Sequence, residues 1–280
     1  TGAGPLSVQG YQIVVRPLAG EQHLDNNSRW IFLQVSQQQM KVAMFEASPY
    51  WDTRFLAQVL RDDPQVNLTT VFGLGPARQI VGTHNSEAGG TAELSFPLTA
   101  DQLTQFDVII LGRGCEQFFP GQSAQLLVDY VRQRGGALIL ARGRAFDAST
   151  PAGAMAQRII AEIEPVQWGQ QVVSDLKLSL APAGRRSPLL EFNLPENTDA
   201  ILTKLPDMLA ATRIAREKSA SIVLLTQSPR STGNGQSDSG ANAMAAIAHQ
   251  NAGAGQVMAV LSDGLWQWAF LPGTLRRYDS

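Results

Sequence analysis

The chain has 280 residues, of which 44% are apolar and 16% charged, so it is long enough for one large or two modest globular domains. A formal net charge of -2 does not favour binding to nucleic acid or to an anionic membrane surface. The single cysteine, Cys115, excludes an internal disulfide and a thiolate-rich metal site, and the three histidines lack the spacing of metal ligands. We therefore expect no metal, no cofactor and no nucleic-acid partner.

The first predicted elements are two strands, at 11–15 and 30–35, joined by a polar connection at 20–28. Two strands alone are marginal in water, so this pair needs further structure to cover its apolar face. We assign residues 1–38 to a β-hairpin, which is either a separate decoration or the remnant of a β-sandwich.

From residue 41 the pattern changes to strands that alternate with helices. Short apolar runs predict strands at 42–45, 67–72, 108–111 and 137–141. Helical spacing marks one helix around 55–60, with Asp52 as its N-cap, and another around 126–131. Uniformly apolar strands alternating with amphipathic helices predict an α/β fold with a parallel sheet that is covered on both faces.

The last third is less regular. Apolar spacing predicts a helical face at 155–163 and strands at 172–180, 222–225, 244–248 and 257–261. A polar segment rich in Ser and Gly predicts a mobile surface loop at about 228–243. We place this loop inside one α/β domain that spans residues 39–280.

No apolar run approaches the roughly 20 residues that cross a bilayer. The chain also lacks an initiating Met and a charged-then-apolar leader. We expect it to be a soluble piece of a longer protein.

Four segments, in order, resemble the class I glutamine amidotransferase-like domain of large, membrane-anchored bacterial proteins of unknown function: KVAMFEASPYWDTRFL at 41–56, FDVIILG at 106–112, GGALIL at 135–140 and GQVMAVLSDGLWQW at 255–268. The resemblance implies a flavodoxin-like, doubly wound parallel sheet, preceded by the end of an immunoglobulin-like sandwich. It also implies an exported, periplasmic or extracytoplasmic domain beside a transmembrane helix.

Active members of that family need a cysteine on a strained GxCxG elbow after a sheet strand, supported by a His and an acidic residue. Element order places the elbow at 141–145 (ARGRA), which holds neither Cys nor Ser. We therefore expect a catalytically degenerate scaffold. The alternative is a cysteine-dependent hydrolase or amidotransferase that uses Cys115, with His249 as the base and Glu46 in the same cleft. Asn251 stands where the family pairs its His with an acid.

Glu46 has a second interpretation, because a carboxylate at the start of a loop commonly caps the turn that follows. A weaker hydrolase hypothesis uses Ser48 or Ser262, although neither has a GxSxG context. For Cys115 to be catalytic, its thiol must lie within hydrogen-bond reach of His84 or His249.

Arg113, Arg142 and Arg144 follow two neighbouring strands of the predicted sheet, so their guanidinium groups should meet at one edge. There they could bind a carboxylate or phosphate. In that case Arg142→Ala and Arg144→Ala should reduce anion capture without affecting folding. Alternatively, the arginines form surface salt bridges with three acids of the same loops, Asp107, Glu116 and Asp147.

Alternation places Trp266, Trp268 and Phe270 on one face of an extended segment. Such a ladder can bind a sugar or a partner, or it can pack into the core, and we expect the core role for at least two of the three.

The sequence therefore predicts a non-catalytic interaction or ligand-sensing module of an exported, membrane-anchored bacterial protein. Its expected partners are other domains of the same protein, a protein partner, or a small anionic ligand bound by the three arginines.

Overall fold

Two structural units make up the chain, Thr1–Met40 and Lys41–Ser280, whereas the sequence placed the boundary after residue 38. The computed structural model describes residues 7–16, 27–35, 39–75, 78–84, 94–191, 197–230 and 243–270. Most of the predicted mobile loop at 228–243 lies outside the described residues, which end at 230 and resume at 243.

The first unit contains the two predicted strands. They are β1 (Ser7–Val14) and β2 (Ser28–Val35), which pair antiparallel with Tyr11 opposite Ile31. The rings of Trp30 and Phe32 stack at 6.2 Å, and both side chains are exposed.

The second unit is a mixed α/β domain. Its strands are β3 (Met40–Glu46), β4 (Val66–Gly73), β5 (Gln79–His84), β6 (Val108–Leu111), β7 (Ala137–Leu140), β8 (Val166–Leu180), β9 (Met208–Glu217), β10 (Ile222–Pro229), β11 (Met244–Ala252), β12 (Gly255–Val260) and β13 (Ser262–Asp263). Its α-helices are α1 (Trp51–Asp62), α2 (Ala100–Leu103), α3 (Gln125–Arg132), α4 (Pro151–Ile160) and α5 (Thr198–Lys204).

Among the described residues of this unit, eleven strands form one sheet in the order β13-β9-β8-β10-β11-β12-β7-β6-β3-β4-β5. The pairs β12–β7, β7–β6 and β6–β3 are parallel, which confirms the α/β class at the centre of the sheet. Pairing is antiparallel from β13 to β12 on one side and between β4 and β5 on the other. The predicted sheet was parallel throughout, and it differs because short connections such as that from β11 to β12 can only join antiparallel neighbours.

Helices cover both faces of the parallel centre. Val42 and Met44 of β3 pack in one apolar cluster with Ala57 of α1. Ala43 and Phe45, which point the other way, belong to a larger cluster that includes residues of α3 and α4. Alternate residues of one strand thus enter different cores, as expected of a sheet with a helical layer on each side.

Two local predictions are wrong. Asp52 lies within the first turn of α1, and Tyr50 occupies the N-cap position. Residues 265–270 form a 3-10 helix, so Trp266, Trp268 and Phe270 do not share one face of an extended segment. The indole of Trp268 packs partly buried against the cluster under β8 and β9, whereas Phe270 is exposed.

Among the helices that the structure describes, none is both long and apolar enough to span a membrane. Within the same residues, no group of three or more His, Cys, Asp or Glu side chains could hold a metal ion.

Candidate functional site

Four adjacent parallel strands bring charged side chains to one edge of the sheet. Glu46 is the last residue of β3, while Arg113 and Arg142 follow β6 and β7 by two residues. Asp263 lies three residues beyond the end of β12. Since the carboxyl ends of neighbouring parallel strands meet at the same edge, residues far apart in sequence converge here.

These four side chains form one ion-pair network. Arg142 donates from Nη1 to Glu46 Oε1 at 3.0 Å, and its Nε lies 3.4 Å from Asp263 Oδ1. Arg113 pairs with Asp263 Oδ2 at 2.9 Å and donates from Nε to the carbonyl oxygen of Arg142 at 2.9 Å. The backbone N–H of Arg113 also donates to Glu46 Oε1 at 3.0 Å. Each carboxylate therefore contacts both arginines.

Three of the four side chains, those of Glu46, Arg142 and Asp263, are nearly closed to solvent. Arg142 is 5% exposed and Glu46 is 1% exposed, and the guanidinium carbon of Arg142 lies 3.4 Å from the centroid of the Tyr50 ring. Burial raises the pKa of Glu46 and of Asp263, and the neighbouring arginines partly offset the shift. Removing one partner from such a buried set leaves an uncompensated charge, so the loss of any one of these side chains should destabilise the fold.

A glycine makes room for the Glu46 carboxylate. A Cβ at Gly112 would lie 1.9 Å from Glu46 Oε2, well inside van der Waals contact. The carboxylate thus lies directly against the backbone after β6, and any side chain at position 112 would displace it.

Beside this network lies an open cleft of about 460 Å³. It is lined by the loops after β3, β6 and β7: Glu46, Ala47, Ser48, Pro49, Tyr50, Arg113, Gly114, Glu116, Arg142, Arg144, Phe146 and Asp147. Three arginines in this set are matched by three carboxylates, so the lining is balanced in charge.

The three predicted anion-binding arginines do line one cleft, but they differ in what they contact. Arg142 pairs with Glu46 and Asp263, not with the predicted partners Asp107, Glu116 or Asp147. Because its guanidinium is buried, Arg142→Ala should affect folding, contrary to the sequence-based expectation. Arg113 remains partly exposed, and Arg144 donates from Nη2 to the carbonyl oxygen of Gly169 at 2.6 Å.

Cys115 is fully buried in the core next to this edge. Its sulfur lies 3.7 Å from the carbonyl oxygen of Phe45 and 3.6 Å from that of Gly112. Burial raises the pKa of the thiol well above its usual value, and the nearby charges of Glu46 and Glu116 raise it further. Glu46 thus disfavours the thiolate that a nucleophile needs.

The two described histidines lie away from Cys115. His249 of β11 is in register with Met258, Ile139 and Ile110, with two strands between β11 and β6. Three inter-strand spacings of about 4.8 Å therefore separate the backbone of His249 from that of Ile110, on the strand before the Cys115 loop, by about 14 Å. His84 pairs with Leu68 near the start of β4, at the end of that strand opposite the cleft.

The serines of the weaker hydrolase hypothesis are also separated. Ser48 is exposed and lines the cleft, whereas Ser262 is buried and pairs with Ala211 of β9.

An aromatic cluster is held beside the cleft by Asp52. The Asp52 carboxylate accepts hydrogen bonds from the backbone N–H groups of Gly264 at 2.9 Å and Trp266 at 2.8 Å. The ring of Trp51 lies 6.1 Å from that of Trp266. Asp52 therefore ties α1 to the 3-10 helix at 265–270.

Tyr50, next to Trp51, was expected to pack into a core or to fill the space of a substrate. Sequence reasoning missed Asp263, the stacking of Tyr50 on Arg142 and the true role of Asp52. The available signal for Asp263 was its position just after the predicted strand at 257–261, the same position that singled out Glu46 after the first strand. No local pattern shows that Tyr50 would stack on an arginine from another loop.

No protein-family model and no curated protein sequence matches the chain. Among solved structures, it is similar to two Salmonella typhimurium proteins, cytoplasmic protein STM3548 and cytoplasmic protein STM1381 of strain LT2. The first has 14% identity and a TM-score of 0.46, with coverage of 84% of this chain and 94% of that one. The second has 16% identity and a TM-score of 0.46, with coverage of 86% and 100%. A beta-galactosidase from Rahnella sp. R3 has 14% identity and a TM-score of 0.36, over 82% of this chain and 30% of that one.

Proposed function

We propose that the chain is a non-catalytic ligand-sensing module of an exported, membrane-anchored bacterial protein, built on a degenerate amidotransferase scaffold with a flavodoxin-like, doubly wound centre. The observation that carries the proposal is the state of Arg142, which lies in the expected elbow at 141–145, one residue before Gly143 at the position of the nucleophile. Its guanidinium is buried and paired with two carboxylates, so it stabilises the edge of the sheet and has no catalytic role. Export and membrane anchoring rest on the sequence resemblance of segments 41–56 and 255–268.

The proposed ligand is a small anion that binds in the cleft through Arg144 and Arg113. Arg144 is partly buried and lines the cleft, and the Arg113 side chain in the same lining is 40% exposed. A carboxylate or sulfate can accept from both guanidinium groups at once, because their planar donors suit its oxygens. Alternatively, the anion belongs to a partner or to another domain of the same protein.

Calorimetric titration of sulfate and of succinate at neutral pH tests the proposal. Both should bind saturably, and Arg144→Ala should weaken binding about tenfold, as expected for the loss of a charge-assisted hydrogen bond. Arg158→Ala is the matched control, because it removes the same charge from an exposed position on α4. Its affinity should equal that of the unmodified chain.

Equal affinities for Arg144→Ala and the unmodified chain would contradict the proposed site, as would the absence of saturable binding. Ammonia release from L-glutamine that Cys115→Ala abolishes would overturn the non-catalytic role.

A further inference from the structure

Glu164 is a buried acid that takes no part in the ion-pair network. It lies between α4 and β8, and its side chain is fully buried. Its two oxygens accept from neutral donors, Oε2 from Gln157 Nε2 at 2.8 Å and Oε1 from Trp168 Nε1 at 2.9 Å. Both hydrogen bonds stabilise the ionised carboxylate, but neither donor carries a compensating charge.

Two cations face Glu164, but each hydrogen-bonds to backbone oxygens. Lys218, just after β9, donates from Nζ to the carbonyl oxygens of Ala161 and Glu162. Arg144, in the turn after β7, donates to the carbonyl oxygen of Gly169. Both interact with Glu164 through their charge alone.

The other elements around Glu164 add one remote ion pair and one neutral group. Arg132 of α3 pairs with the exposed Glu162 at 2.8 Å, and both act on the charge of Lys218. From β11, the Gln250 side chain donates to the backbone carbonyl of Glu164 at 3.1 Å. Arg144 lines the cleft and donates to the carbonyl oxygen of Gly169, the residue after Trp168, whose indole donates to Glu164. Arg144 is therefore the charged group that links Glu164 to the cleft.

The amide of Gln157 suits both protonation states of Glu164. Gln157 Nε2 donates to the ionised carboxylate, while Gln157 Oε1 is buried with no partner among the described residues. Rotating the amide by 180° exchanges the two atoms, so that Oε1 accepts the proton of a neutral carboxyl group. Gln157 can thus hydrogen-bond to Glu164 whether the carboxyl group is ionised or neutral.

We propose that protonation of Glu164 regulates anion binding in the cleft by changing the electrostatic potential at Arg144. This inference rests on the proposed function. When Glu164 is ionised, its charge offsets that of Arg144; when it is neutral, the guanidinium attracts an anion more strongly. Burial raises the pKa of Glu164 to about 7, so the change occurs near neutral pH.

Sulfate is a suitable probe, because its own charge does not change between about pH 6 and pH 8. Sulfate should bind about fivefold more tightly at about pH 6 than at about pH 8, from Coulomb energies in a partly screened site. Glu164→Gln, which mimics the neutral acid, should bind with the tighter affinity at both values. Glu162→Gln should keep the pH dependence of the unmodified chain.

Equal sulfate affinity at both pH values in the unmodified chain would overturn the regulation and leave the proposed function standing. A pH dependence that persists in Glu164→Gln would assign the effect to another group, such as His249, and would also overturn it. Absence of sulfate binding at every pH would refute both proposals. The ¹³C NMR chemical shift of the Glu164 carboxyl group, measured as a function of pH, follows its titration directly. A constant chemical shift between about pH 6 and pH 8 would refute the regulation but not the proposed function.

Discussion

Glu46 and Glu164 are both almost fully buried, yet the protein stabilises them by opposite means. Glu46 contacts the guanidinium of Arg142 and a backbone N–H, so its charge is compensated within the network. The Glu164 carboxylate, among the described residues, accepts hydrogen bonds from the neutral side chains of Gln157 and Trp168. Pairing with the charged Arg142 makes Glu46 a structural residue, whereas hydrogen bonds from neutral side chains leave Glu164 able to titrate near neutral pH.

Removal of Arg142 should have the largest effect. Arg142→Ala leaves the buried carboxylates of Glu46 and Asp263 without their shared cation, and it should lower the free energy of unfolding by about 3–5 kcal/mol. Urea denaturation measures the change. Arg132→Ala breaks the exposed pair with Glu162 and should cost less than about 1 kcal/mol. Equal losses in the two variants would show that the buried network is no stronger than a surface pair.

The second largest effect should be the contribution of Glu164 to the pH dependence of stability. Its pKa of about 7 in the folded chain exceeds the ordinary value of 4.5, so the folded state binds the proton more tightly. The resulting stability is fully present below pH 4.5 and is lost as pH rises through 7. The shift corresponds to roughly 3 kcal/mol.

Thermal or urea unfolding of the unmodified chain and of Glu164→Gln across this range measures that contribution. The difference in stability between the two proteins should grow with pH and then level off above 7. Parallel curves would mean that Glu164 has an ordinary pKa despite its burial.

Gly112→Ala tests the packing of the network without changing any charge. The new Cβ would force Glu46 Oε2 aside, and we expect a loss of about 2 kcal/mol, as is typical of overpacking. Gly82→Ala on β5 is the control, because its Cβ would meet the Thr70 hydroxyl at 3.2 Å, a tight contact that a shift of a few tenths of an ångström relieves. If both variants unfold at the same urea concentration, the Glu46 carboxylate can move at little cost.

The smallest expected change is at Cys115. Cys115→Ala removes one buried sulfur and should cost about 1 kcal/mol in urea denaturation. The native thiol should resist aromatic disulfide reagents at mildly alkaline pH and react once the chain is unfolded. Rapid labelling of the folded chain would contradict both the burial and the raised pKa of this group.

The central strands were predictable because each is a short apolar run. The predictions at 42–45, 108–111 and 137–141 match β3, β6 and β7 within a few residues. Three strands, β5, β9 and β13, were missed, since β5 is half exposed, β9 mixes Arg and Thr with apolar residues, and β13 has only two residues. Apolar periodicity identifies strands that are buried on both faces and loses those at the flanks.

The sequence predicted where the site lies, but it did not predict which acids pair with Arg142. Topology placed Glu46, Arg113 and Arg142 at one edge, because parallel strands share their carboxyl ends. The expected partners of Arg142 were acids close in the loops, while the actual ones come from β3 and from the segment after β12. Asp52 likewise was assigned a local cap, yet its partner Gly264 lies 212 residues away. Such contacts depend on the closed sheet and leave no local pattern.

The position of β12 between β11 and β7 sets an order of events during synthesis. Residues of β12 pair with Leu138 and Ile139 of β7, which leave the ribosome much earlier. Until Gly255–Val260 has been made, β7 presents an apolar edge with unpaired backbone groups in the middle of the future sheet. The nascent chain therefore carries an aggregation-prone edge at the centre of the domain, and the ion-pair network closes only after Asp263 has emerged.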